Sequence, residues 1–75
     1  MEVLIIEDEA PIREFEVTYL RDAGYGTIEA ADGQAAIKLF EEHKPDLTII
    51  DINLPKMSGL DVCKTIRMTS TVPIL

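Results

Sequence analysis

Glu7, Asp8 and Glu9 form an unbroken acidic run directly after Val3-Leu4-Ile5-Ile6, and Asp51 directly follows Leu47-Thr48-Ile49-Ile50. Taken alone, an acid at either place fits a solvated loop or a charge favoured at a helix start. Two separate aliphatic runs that both end in acids are a stronger signal. If the runs are neighbouring parallel strands, about 4.8 Å apart, Glu7, Asp8 and Asp51 share one small pocket at the same sheet edge. Two charges about 4 Å apart repel by about 1 kcal/mol in water and about 4 kcal/mol at an effective dielectric of 20. A hard divalent cation neutralises such a pocket. Mg²⁺ is typically held by one or two carboxylates together with waters and phosphate oxygens.

The elements that must position these acids follow from the pattern. Val3-Leu4-Ile5-Ile6 is continuous and rich in β-branched residues, as expected of a strand buried on both faces of a parallel sheet. Pro11 suits the first turn of a helix, where a missing N–H costs nothing. Ile12, Phe15, Tyr19, Leu20 and Ala23 then recur at three- and four-residue spacing, predicting one apolar stripe, and Gly24 supplies the stop. Thr27-Ile28-Glu29-Ala30-Ala31 reads as a second strand. Asp32 is placed to cap a second helix that carries Ala36, Ile37 and Phe40 inward. That helix ends before Pro45, which disfavours helical backbone at Lys44. Residues 47–50 give the third strand. Beyond a loop holding Pro55 and Gly59, Ser58 and Asp61 resemble a capping box for a third helix, with Val62, Cys63 and Ile66 inward. Val72-Pro73-Ile74-Leu75 begins a fourth strand. The order βαβαβαβ calls for an α/β fold with a parallel sheet and right-handed crossovers. In open sheets of this kind, ligands bind at the C-terminal strand ends, where strand order reverses.

The chain has 75 residues, 47% hydrophobic and 28% charged, with a formal net charge of -7. That is one domain at most. Residues 1–32 hold nine acids and two bases, whereas residues 33–75 hold five of each, so the whole excess lies around the acidic run. Such a balance argues against a duplex-binding face, which needs clustered Lys and Arg. Cys63 is the only cysteine, which excludes an internal disulfide and a thiolate zinc site. No apolar run reaches the roughly 18 residues of a membrane span, and Met1-Glu2-Val3 lacks the basic start of a signal peptide. A cytoplasmic protein without membrane contact is expected.

Three segments together resemble the receiver domain of two-component response regulators: residues 3–9, Ala31-Asp32-Gly33, and above all Pro45-Asp46-Leu47-Thr48-Ile49-Ile50-Asp51-Ile52-Asn53-Leu54-Pro55-Lys56-Met57-Ser58-Gly59. The resemblance covers the whole chain. It implies a flavodoxin-like, doubly wound parallel sheet of strand order 2-1-3-4. It implies that Asp51 is the phosphoacceptor that takes a phosphoryl group from a sensor histidine kinase. Glu7 and Asp8 correspond to the acidic pair that holds Mg²⁺, with Asp51 and the backbone carbonyl of Asn53 as further ligands. Glu7 departs from the family's more usual Asp. The family acts as a signalling module and not as a turnover enzyme; many members regulate transcription, and they reach nucleic acid only through an output domain that these residues do not contain.

Other readings of the same residues are weaker. A phosphorylation-independent interaction module would have little use for Glu7, Asp8 and Asp51 together. A phosphatase-type hydrolase with Asp51 as nucleophile would be expected to carry an acid two residues later, where Asn53 stands. His43, beside Glu42 and Lys44, reads as solvated and not as a phosphodonor. Lys56 likewise reads as solvated, and Pro55 and Gly59 as residues that shape the loop. Cys63 reads as a small buried hydrophobe. Phe15 and Phe40 read as core. Gly33 has only a backbone role. No Gly-rich phosphate loop is present. The family's plan has five strands, so the resemblance makes these residues the N-terminal part of a single receiver domain, truncated at the start of strand four. The hydroxyl and Lys residues that complete the phosphoryl site in the family then lie beyond Leu75, and weak phosphorylation is expected of the chain as it stands. An open edge at strand four predicts a homodimer, by edge pairing or by exchange of elements.

Overall fold

The computed structural model describes residues 1–51, 54 and 57–75. Its elements are β1 (Glu2–Ile6), α1 (Ala10–Asp22), β2 (Gly26–Ala30), α2 (Gly33–His43), β3 (Leu47–Ile50) and α3 (Gly59–Arg67). The strands form one parallel sheet in the order β2-β1-β3. The continuous aliphatic run lies where its pattern requires: Val3, Leu4 and Ile5 are fully buried and Ile6 nearly so, in the central strand. Each such side chain contributes about 1.5–3 kcal/mol on burial. Alternation divides them between two cores. Leu4 and Ile6 join Ala30, Ala36, Phe40, Val62 and Ile66 beneath α2 and α3. Val3 and Ile5 cluster with buried Val17, with Leu20, Leu47 and Ile49 partly buried beside them under α1.

The predicted punctuation is observed. Gly24 takes φ +95° just after α1, a left-handed conformation that glycine adopts without strain. The Asp32 carboxylate accepts the Ala35 N–H (2.8 Å), and Ser58 Oγ accepts the Asp61 N–H (3.2 Å). Lys44 closes α2 with φ 49° before Pro45.

Three expectations need correction. Phe15 is not core: it is 73% exposed, and Ile12, Tyr19 and Ala23 are exposed with it. The inward arc of α1 is Arg13, Glu16, Val17 and Leu20, equally spaced by three and four. Periodicity could not choose between the two arcs. The inward arc packs Val17 and Leu20 on Val3 and Ile5, and its Arg13 reaches the Glu7 carbonyl just after β1 and a β2 carboxylate. Cys63 is only half-buried. The fourth strand is a single parallel bridge, Thr48 to Ile74, flanked by backbone bonds from Thr48 N–H to the Pro73 carbonyl (3.0 Å) and from Leu75 N–H to the Thr48 carbonyl (2.8 Å). Its place beside β3 is the expected one.

Candidate functional site

The strand register delivers the acids. Ile6 of β1 lies opposite Ile50 of β3, and the Asp51 N–H donates to the Ile6 carbonyl (3.0 Å), so the residues that follow, Glu7 and Asp51, leave the sheet side by side. On its other flank the Glu7 N–H donates to the Ala30 carbonyl of β2 (3.1 Å). Glu7, Asp8 and Asp51 each offer a carboxylate oxygen, and these oxygens lie within 4.8 Å of one another. Glu7 is 9% exposed, Asp51 half-buried and Asp8 open to solvent. A cavity of about 230 Å³ opens beside them on the α1 side, lined among others by Glu7, Asp51, Ile12 and Glu16.

Burial lifts the Glu7 carboxyl above its usual value of 4.5. The Glu9 backbone N–H, 3.3 Å from Glu7 Oε2, pulls the other way, and the neighbouring Asp8 and Asp51 carboxyls push it up again. A carboxylate crowded by two others in a partly dry place favours either a proton or a cation. The donor set is oxygen only, which suits a hard divalent ion and offers nothing to a soft one. The residues present therefore fit Mg²⁺.

Three of the four expected ligand residues come together. Asn53 lies outside the described residues, as does Lys56. His43 is exposed at the end of α2, remote in sequence and element from the acids. Sequence reasoning missed Arg13. Its Nη1 donates to the Glu7 carbonyl (2.8 Å), and its Nε lies 3.4 Å from Glu29 Oε1. The available signal was a base in the first turn of the helix that follows the acidic run.

The family model described as the response regulator receiver domain matches residues 3–75. The chain belongs to this family. Among curated relatives of this receiver chain, the probable transcriptional regulator ycf27 of Guillardia theta is 47% identical over 97% of the chain and 29% of its own length. Among solved structures, the chemotaxis response regulator CheY4 of Vibrio cholerae is 37% identical with a TM-score of 0.94, covering 97% of this chain and 63% of that one. The response regulator TrrA of Thermotoga maritima, solved in complex with Mg(2+)-BeF, is 36% identical with a TM-score of 0.92, covering 97% of this chain and 64% of that one. The receiver chain spans 29% to 32% of the length of the curated relatives it matches. As a receiver domain of response regulators it is a two-component signalling module with an incomplete flavodoxin-like sheet. Among the described residues no helix is long and apolar enough to cross a membrane.

Proposed function

We propose that Asp51 is the phosphoacceptor, and that Glu7, Asp8 and Asp51, with the backbone carbonyl of Asn53, hold Mg²⁺. The observation that carries this reading is the convergence of three carboxylate oxygens within 4.8 Å at the C-terminal edge of two adjacent parallel strands. TrrA, similar over nearly the whole chain, was solved with Mg(2+)-BeF, which supports the same metal here.

The chemistry follows from charge. A carboxylate is a poor nucleophile towards another anion. When bound, the cation supplies neutralisation of the phosphoryl oxygens and alignment for in-line attack. Asp51, its N–H bonded to the Ile6 carbonyl of β1, presents its carboxylate oxygen at the end of β3. That oxygen forms a bond to phosphorus as the bond from phosphorus to the donor's imidazole nitrogen breaks, and the bonding pair leaves on the nitrogen. The acyl phosphate carries roughly -1.5 to -2 charges in place of one carboxylate, enough to bias a neighbouring two-state element.

The donor is a sensor histidine kinase, the setting is cytoplasmic, and the domain assists its own modification without acting as a turnover enzyme. Residues 1–75 form the N-terminal part of a single receiver domain, a reading supported by their 63% coverage of CheY4. Nucleic-acid contact belongs to a separate output domain, which a likeness to a probable transcriptional regulator supports. Self-association through the outer edge of residues 72–75, which pair with β3 by a single bridge and its flanking backbone bonds, is tested by sedimentation; a strict monomer overturns it. The phosphorylation-independent alternative is not favoured, since all three acids are present and converge.

The deciding experiment is intact-mass measurement after incubation with phosphoramidate and Mg²⁺. We expect a one-phosphoryl gain in only a minor fraction of the molecules, in keeping with the weak phosphorylation expected of these residues, and that fraction vanishes in Asp51→Asn and on chelation of the metal. A gain that persists in Asp51→Asn overturns the assignment.

A further inference from the structure

We propose that Arg13 is a positioning residue for the acidic pocket, an inference that rests on the metal reading above. Glu7 is the last residue of β1's edge to keep a strand-type bond, through its N–H to Ala30. Its carbonyl is taken instead by the Arg13 guanidinium, at 2.8 Å. The peptide unit that contains this carbonyl also contains the Asp8 nitrogen, and it is planar. Fixing the oxygen therefore fixes the plane from which the Asp8 side chain departs. Glu7 itself is pinned on both sides, by β2 at its N–H and by Arg13 at its carbonyl.

The guanidinium is held in turn. Glu29 of β2 faces Nε at 3.4 Å, so the fork is anchored at one end while it grips the backbone with the other. The Arg13 side chain is 19% exposed, and a charge-assisted bond in such a place is short and strong compared with a solvated one. Arg13 belongs to the first turn of α1, its own N–H donating to the Glu9 carbonyl (3.0 Å). The helix start, the acid-bearing turn and β2 are thus joined through one side chain. Arg13 acts through the Glu7 backbone; it sets the direction from which two of the three carboxylates approach.

The competing reading is that Arg13 merely covers the sheet, in which case its loss lowers stability and leaves the pocket unchanged. Two measurements on the protein and its Arg13→Met and Arg13→Lys variants separate these. The first is Mg²⁺ affinity by calorimetry under conditions where circular dichroism shows each variant folded. The second is the ¹³C chemical shift of the Glu7 carbonyl in metal-free protein. Arg13→Met is expected to weaken Mg²⁺ binding about tenfold, as the loss of partners that orient metal ligands typically does. Arg13→Lys keeps the charge without the fork and is expected to lose about threefold. Both variants should shift the Glu7 carbonyl resonance. Equal Mg²⁺ affinity in the wild type and a folded variant overturns the role of Arg13 while leaving the metal reading intact. If Arg13→Met fails to fold, Arg13→Lys decides by the same comparison. A wild-type protein that does not bind Mg²⁺ overturns the metal reading, and the carbonyl shift then decides whether Arg13 positions the turn.

Discussion

β1 and β3 lie side by side and each carries an acid at both ends, yet the two ends treat charge in opposite ways. At the N-terminal end the Glu2 N–H donates to Asp46 Oδ2 (2.8 Å), and the Asp46 N–H donates back to the Glu2 carbonyl (2.9 Å). The Asp46 carboxylate there satisfies a backbone donor and extends the strand pairing. At the C-terminal end Glu7, Asp8 and Asp51 face one another, and burial together with its neighbours raises the Glu7 carboxyl. One carboxylate extends the sheet's hydrogen bonding; the other three crowd one another. Proximity of acids on adjacent strands is therefore not the mark of a site. The mark is three carboxylates whose oxygens converge within 4.8 Å, an arrangement that a cation stabilises.

The largest expected effect breaks the symmetry of the two ends with metal. Mg²⁺ at about 100 times its dissociation constant should stabilise the folded chain by about 2.7 kcal/mol. Asp8→Asn should remove most of this gain, whereas Asp46→Ala should leave it intact. Urea denaturation with and without Mg²⁺ measures both. A gain that follows Asp46 and not Asp8 would mean that the wrong end has been chosen.

Metal-free protein sharpens the contrast with smaller effects of opposite sign. Asp46→Ala leaves the Glu2 N–H without its acceptor and should cost about 1 kcal/mol. Asp51→Asn removes one of three crowded charges and should stabilise by about 1 kcal/mol. Urea midpoints in chelator report the two directions. Destabilisation by both substitutions would mean that the carboxylates at the two ends act alike.

The parts of this picture that were legible in the sequence are those set by local chemistry. The unbroken run Val3–Ile6 announced a strand buried on both faces. Gly24, Asp32 and Pro45 marked boundaries through φ, a side-chain acceptor and a missing N–H, and Glu7, Asp8 and Asp51 stood at the ends of the two runs. What was not legible depends on approach between elements. Gly33 was expected to serve the backbone only. In the fold, a Cβ there would lie 2.7 Å from Val62 Cγ2 and 3.0 Å from Met57 Cβ, so the glycine lets α2 pack closely on α3 and on the segment before it. Thr48, read as one residue of an apolar strand, buries a hydroxyl with no hydrogen-bond partner among the described residues. Phe15 lies on the other of two arcs of α1 that share the same spacing, and the arc turned inward is the one whose Val17 and Leu20 pack on Val3 and Ile5 while Arg13 reaches the Glu7 carbonyl and Glu29 of β2.

The smallest effect concerns a single proton, and it tests whether crowding at the C-terminal end is felt in solution. The Glu7 carboxyl titrates above 4.5 in the folded chain and near its ordinary value in the unfolded one. The folded state therefore binds this proton more tightly. Glu7's favourable contribution is fully present below the unfolded value and is lost as pH rises through the folded one. At neutral pH the ionised group carries its full desolvation and repulsion, so Glu7→Gln should be more stable than the wild type in chelator. On acidification towards 4.5 the wild type gains the proton, the cost disappears, and the gap between the two proteins should close. Asp46→Asn supplies the contrast from the other end of the same strands. Its carboxylate accepts the Glu2 N–H, so Asp46→Asn should be no more stable than the wild type at neutral pH. Urea midpoints of all three proteins across this range decide the matter. A Glu7→Gln gap that stays constant with pH would show that Glu7 is not crowded, and the contrast between the two ends would then rest on metal binding alone.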